Sequence, residues 1–190
     1  MIMRKIQTIF DRNWETDRKV NSKLIVDFDF EGAIATEKLD GMNIRLTIRN
    51  GIVVRSEKRR NPSKIQKKDG IFDPWYVDVD EYSSQDKWIV DAIRNTDFSK
   101  VRDGEWSAEA IGKNIQGNPL NLENNQVFIF SLPEWREKII LEDAPTSFME
   151  LRAYLKKQKS KVGNDCLIEG IVWHHPGGDM VKIKRKDFIK

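Results

Sequence analysis

Asn50-Gly51 does more than any other feature to limit the fold. An Asn-Gly pair between two alternating runs favours a tight hairpin, because both residues tolerate the positive φ that such a turn demands. Asn43–Arg49 and Ile52–Glu57 flank it, so two antiparallel strands are predicted and this part of the chain is directed to a sheet rather than a helical bundle. A shorter run, Gly32 to Thr36, predicts a strand that delivers Lys38 to its end. Gly41 then permits a tight turn and a close approach of backbone amides to a ligand. Residues 34–45 therefore read as a lysine presented at the lip of a sheet.

Leu24 to Phe30 alternates apolar and acidic residues, the pattern of a half-buried strand. Residues 56–70 are basic and contain Pro62 and Gly70, which predicts a loop, and Phe72 to Tyr76 reads as a packed aromatic turn. Trp88, Ile89, Ala92 and Ile93 share one face of a helix predicted over 86–95. Ser147-Phe148-Met149-Glu150 is a capping-box sequence opening a second helix that runs to Lys157. Further strands are expected before Gly112, over Gln126–Leu132, over Leu167–Trp173 and over Met180–Lys184, the last two joined by a turn at 174–179. With no repeat and no dividing linker, the expectation is one α+β domain over 1–190, with residues 1–22 as an N-terminal arm.

A net charge of +3 is too small for a globally basic nucleic-acid coat, yet Lys and Arg cluster at 55–68, 152–161 and 182–190. Such local clusters can bind phosphates without a large net charge. The single cysteine, Cys166, excludes an intrachain disulfide and a thiolate metal cage. No run is apolar enough for a leader or a membrane span, so a reducing, cytoplasmic or nuclear setting with no membrane partner is expected.

Four short motifs follow in order: K-L-D-G at 38–41, E-A-I-G at 109–112, E-G-I-V at 169–172 and K-I-K at 182–184. The ordered set resembles the covalent nucleotidyltransferase superfamily, which holds the polynucleotide ligases and mRNA capping enzymes. Lys5 to Phe10, Gln116-Gly117-Asn118-Pro119, Glu169 to His175 and Lys182 to Phe188 look like the small RNA-ligase family that includes the vertebrate 5′-3′ RNA ligase. The resemblance implies an ATP-grasp-like adenylation domain of antiparallel sheets flanked by helices, with no OB-fold domain. It implies an ATP-dependent RNA ligase, acting as a monomer, that joins a 5′-phosphate to a 3′-hydroxyl through a lysyl-AMP intermediate and an adenylylated RNA end. GMP transfer, DNA sealing and a non-reactive nucleotide- or RNA-binding module are the alternatives.

By that resemblance Lys38 is the nucleophile and Lys182 and Lys184 contact the α-phosphate, while Glu169 holds Mg2+ or Mn2+ partly through water. Glu109 contacts the ribose; it fills that place ahead of Glu105 because a glycine follows it at the right spacing. Glu37 or nearby backbone reads the adenine amino group, Phe128 or Phe130 stacks on the base, and Arg55 contacts RNA phosphate or the 3′-end. The chemistry suits these residue types. Only a neutral amine attacks phosphorus, and neighbouring cations both favour that form and stabilise the charge that develops on the phosphate. His174 and His175 read as turn residues rather than metal ligands, since no third ligand is spaced to join them.

Overall fold

The structure, a computed structural model, describes residues 6–188. Its strands are β1 (Gln7–Thr8), β2 (Phe10–Arg12), β3 (Val20–Leu24), β4 (Ile34–Glu37), β5 (Met42–Arg49), β6 (Ile52–Arg60), β7 (Trp75–Asp78), β8 (Gly104–Ile111), β9 (Gln126–Ile129), β10 (Gly170–His174) and β11 (Met180–Lys184). Its helices are α1 (Lys64–Lys68), α2 (Lys87–Arg94), α3 (Pro133–Arg136), α4 (Phe148–Leu155) and α5 (Arg185–Phe188). The described residues fall into two compact units, 6–39 with 136–188, and 40–135. The boundary cuts the K-L-D-G motif between Leu39 and Asp40.

The 6–39/136–188 unit has a four-stranded sheet in the order β1-β11-β10-β4. β10 runs antiparallel to both neighbours, and β1 joins the edge parallel to β11. β2 and β3 pair with each other. Alternation does the sorting: Ile171 and Trp173 of β10 and Val181 and Ile183 of β11 enter a core shared with Ile9, Phe10 and, from α4, Leu151 and Leu155. Lys182 and Lys184 are thereby left on the other face of β11.

In the 40–135 unit five antiparallel strands lie in the order β7-β6-β5-β8-β9. Asn50 and Gly51 take φ of 49° and 73° at the β5–β6 hairpin, as their dipeptide demands. Ile44, Leu46, Ile48, Ala108, Ala110, Val127 and Ile129 pack with Ile89 and Ala92 of α2 into a single apolar layer.

Several expectations are corrected. The strand expected over 24–30 ends at Leu24; beyond it Asp29 accepts the Glu31 N–H, a local turn that competes with pairing. The basic stretch 56–70 is not all loop: β6 continues to Arg60, and Ser63 and Gln66 close a capping box that opens α1. The segment at Phe72 is no packed turn, since Phe72 is 69% exposed and Trp75 and Tyr76 begin β7. The strand over Gln126–Leu132 stops at Ile129 because Pro133, with no N–H to give a ladder, opens α3. Ser147 precedes α4 as expected, but its hydroxyl donates to the Glu150 carboxylate instead of accepting a backbone N–H. Residues 1–5 of the expected arm lie outside the described residues, and β1, β2 and β3 take up much of the remainder.

Lys58 is also more than a loop cation. Its ammonium is buried and bonds both carboxylate oxygens of Asp86, which also accepts the Asp80 N–H. Removing one partner strands a buried charge, so Asp86→Ala is expected to cost about 3–5 kcal/mol in a urea melt. A loss below about 1 kcal/mol would show that water reaches the pair. Among the described residues no helix is long and apolar enough to cross a membrane.

Candidate active site

Lys38 is held by the strand that precedes it. The β4–β10 register pairs Glu37 with Ile171, and the Lys38 N–H donates to the Gly170 carbonyl at 2.9 Å, extending the ladder by one residue. Across β10 the register pairs Gly170 with Lys184, and the Arg185 N–H donates to the Glu169 carbonyl at 2.8 Å. Three strand ends therefore meet at one edge. A Cβ on Gly170 would lie 2.1 Å from the Ile183 carbonyl oxygen, so only glycine lets β11 pass this close.

The side chains converge on one carboxylate. Glu169 Oε2 accepts from Lys38 Nζ at 2.5 Å, and Oε1 accepts from Lys184 Nζ at 2.5 Å. Burial alone would push the Glu169 carboxyl up; the Lys38 and Lys184 charges outweigh it and hold the group below its ordinary value. Lys182 lies on the same face of β11 as Lys184, opposite Val172. Four residues of the sequence-predicted set, Lys38, Glu169, Lys182 and Lys184, are thus grouped at one sheet end.

Glu37 behaves differently. Strand alternation turns its side chain away from that of Lys38 and buries it completely. Its two oxygens accept from the Ser160 hydroxyl at 2.5 Å and the Lys161 N–H at 2.7 Å. Burial raises its pKa above the usual carboxylate value, although those hydrogen bonds oppose the rise. Its carboxylate is thus engaged in pinning residues 160–161.

His174 closes β10 as a strand residue, not a turn residue, and its Nε2 lies 2.9 Å from the Thr36 hydroxyl. Burial, with Arg136 nearby, lowers its pKa from 6.5 to about 4. A histidine held neutral in the fold but protonated when unfolded contributes stability above its ordinary pKa. That contribution drains away as pH falls towards the folded value. Stability is accordingly expected to fall by about 3 kcal/mol between pH 7 and pH 4 on this account, with His174→Gln removing that part of the slope in denaturant melts. His175 accepts the Gly177 N–H within the turn.

The 40–135 unit carries Glu109, Phe128 and Arg55. β5–β8 and β8–β9 pairing sets Asn43, Glu109 and Phe128 in one row, on the sheet face opposite the apolar layer. Phe128 is buried against Phe130 and Trp135. Arg55 points outward and is engaged by Asp78 at 2.8 Å and Glu57 at 3.1 Å. Gly41 lacks positive φ; its role is close approach, since a Cβ there would lie 2.3 Å from the Ala110 carbonyl oxygen and 2.9 Å from Glu109 Cγ. Sequence reasoning missed a network on this same face. Arg45 makes paired bonds to Glu57 at 2.6 and 2.8 Å and lies 4.5 Å above the Tyr76 ring, whose hydroxyl donates to Asn43. The alternation Asn43, Arg45, Thr47 against Ile44, Leu46, Ile48 was the signal for it.

Among the described residues no three His, Cys, Asp or Glu side chains gather as a metal cage. The donor set present is a single carboxylate, Glu169, beside two lysines. That fits a hard divalent ion that keeps several waters and takes its other ligands from phosphate oxygens.

A search of curated proteins finds no match. Among solved structures, a Naegleria gruberi RNA ligase mutant with AMP and Mn is similar at 14% identity and a TM-score of 0.48, over 81% of this chain and 49% of that chain. Naegleria gruberi RNA ligase with PPi is similar at 14% identity and a TM-score of 0.46, over 81% of this chain and 49% of that chain. The chain thus spans about half the length of the Naegleria gruberi RNA ligase chains it matches. The family model described as RNA ligase 1 matches residues 93–189, just over half of the sequence. That range takes in Glu109, Phe128, Glu169, Lys182 and Lys184, with three of the four motifs and not Lys38, and on this match the chain belongs to the RNA ligase 1 family.

Proposed function

We infer that this chain is an ATP-dependent RNA ligase whose Lys38 becomes covalently joined to AMP. The observation that carries the reading is the pair of ammonium groups, Lys38 and Lys184, on the two oxygens of Glu169, within a chain of the RNA ligase 1 family. In the first step the Lys38 ammonium releases a proton to solvent and, as the neutral amine, attacks the α-phosphorus of ATP. An N–P bond forms, the bond to pyrophosphate breaks, and the amine gives up a second proton. Glu169, in contact with Nζ, orients the amine and is the nearest acceptor for its N–H. Lys184 and Lys182 supply positive charge from β11 for the phosphate oxygens. A divalent ion, Mg2+ or Mn2+, held through Glu169 and its own waters would neutralise charge on the departing pyrophosphate.

AMP then passes to an RNA 5′-phosphate, and a 3′-hydroxyl displaces it to seal the strand. For the 40–135 unit the reading keeps Glu109 for the ribose, Phe128 for the base and Arg55 for RNA phosphate, each testable by its own substitution. It takes residues 1–190 as one ATP-grasp-like nucleotidyltransferase domain acting as a monomer.

The experiment is incubation with ATP or GTP labelled at the α-phosphate, in Mg2+ or Mn2+, followed by denaturation and intact mass. Label retained with ATP alone is expected, and 5′-phosphorylated RNA should discharge it. Retention with GTP alone would make the chain a capping-type enzyme, and ATP eluting unchanged would make it a binding module.

A further inference from the structure

Seven Lys and Arg residues lie between positions 55 and 68. The fold sorts them. Arg55 is engaged by Asp78 and Glu57, and Lys58 is buried on Asp86. Arg59, Arg60, Lys64, Lys67 and Lys68 pair with no carboxylate among the described residues, and all but Arg59 are exposed.

Large apolar side chains stand among these cations. Ile65 is 72%, Phe72 69% and Trp75 37% exposed. α1 contains no buried residue, so it adds nothing to the core; its capping box holds it folded while it displays Lys64, Lys67 and Lys68. β7 is the edge strand of its sheet, and its register sets Trp75 opposite Arg60 and Tyr76 opposite Arg59. Cations alone would accept any polyanion. Exposed aromatic faces add a demand for unpaired bases, which a duplex keeps stacked on one another.

We propose that α1, Phe72 and the edge strand β7 form a shelf for single-stranded RNA, with Arg60, Lys64, Lys67 and Lys68 on phosphates and Phe72 and Trp75 stacked on bases. The proposal rests on the ligase reading for RNA as substrate and deepens it by naming the form of the strand and the residues that hold it.

The test is fluorescence anisotropy of the full chain with a labelled, unstructured RNA of about 12 nucleotides. Phe72→Ala is expected to weaken binding about tenfold, Phe72→Trp to restore it, and Phe72→Leu to be as weak as alanine, because leucine keeps the apolar bulk but has no ring face. Replacing Lys64, Lys67 and Lys68 together by Gln should reduce the slope of log affinity against log salt by about 2. The same RNA annealed to its complement should bind more weakly. Wild-type affinity in Phe72→Leu would assign the patch to an apolar protein partner and overturn the proposal. So would equal affinity for the duplex, or an unchanged salt slope. The mass gain of the wild-type protein with ATP is read in parallel. Its absence overturns the ligase reading, while the anisotropy series still decides the shelf.

Discussion

Lys38→Ala is expected to retain no α-label after incubation with ATP, against near-complete labelling of the wild-type protein. The amine is the only atom of this residue that can carry the phosphorus–nitrogen bond, so the loss is total rather than graded. Stability should fall by only about 1 kcal/mol, because Glu169 keeps its bond to Lys184 when Lys38 is gone. Lys38→Arg sharpens the result. A guanidinium preserves the ion pair with Glu169 but does not shed its proton, so a folded Lys38→Arg protein should be equally unlabelled. Label on either variant would place the nucleophile elsewhere and end the present assignment.

The second large effect is expected at Glu169. Glu169→Ala leaves the Lys38 and Lys184 ammonium groups facing each other without their shared counter-charge, and the side chains involved are only 11–22% exposed. Labelling is expected to slow about 100-fold or more, from lost orientation of the amine and lost support for the metal. The cost to stability is on the order of 3 kcal/mol, the range for breaking a largely buried pair. Its pH dependence follows from the lowered pKa. A carboxylate held below its ordinary value stabilises the fold above that value, and the contribution disappears as pH falls through the folded one. The wild-type protein should therefore lose its advantage over Glu169→Gln in acid and hold it at neutral pH. Parallel melting curves of the two proteins across pH 3 to pH 7, read beside the labelling rates, separate the structural from the catalytic share.

Much of the site's scaffold was legible because strand patterning is local. Asn50-Gly51 announced its hairpin, β11 has the bounds the sequence suggests, and Met180–Lys184 alternates so that both lysines must share a face. What stayed hidden was set at long range. Nothing in Thr36-Glu37-Lys38 says which neighbour is buried; the answer comes from Ser160 and Lys161, more than 120 positions away. Gly41 looks like a turn glycine until β8 is seen passing against it. The 56–70 stretch misled because its charge suggested a solvated loop, while Ser63-x-x-Gln66 carried a capping signal that composition masks. Phe72 to Tyr76 reads as a packed aromatic turn because its residues are large and apolar, yet Phe72 is exposed and lies outside the apolar layer that α2 covers.

The arrangement of β1, β11, β10 and β4 also bears on the order of synthesis. Gln7 pairs with Val181, and Lys38 meets a carboxylate 131 positions further along the chain. A ribosome-bound nascent chain thus exposes Lys38 long before it has the strand that carries Glu169 to it. Such distant pairing folds slowly relative to hairpins. The cluster of Lys38, Glu169 and Lys184 therefore forms only after β10 and β11 have left the exit tunnel.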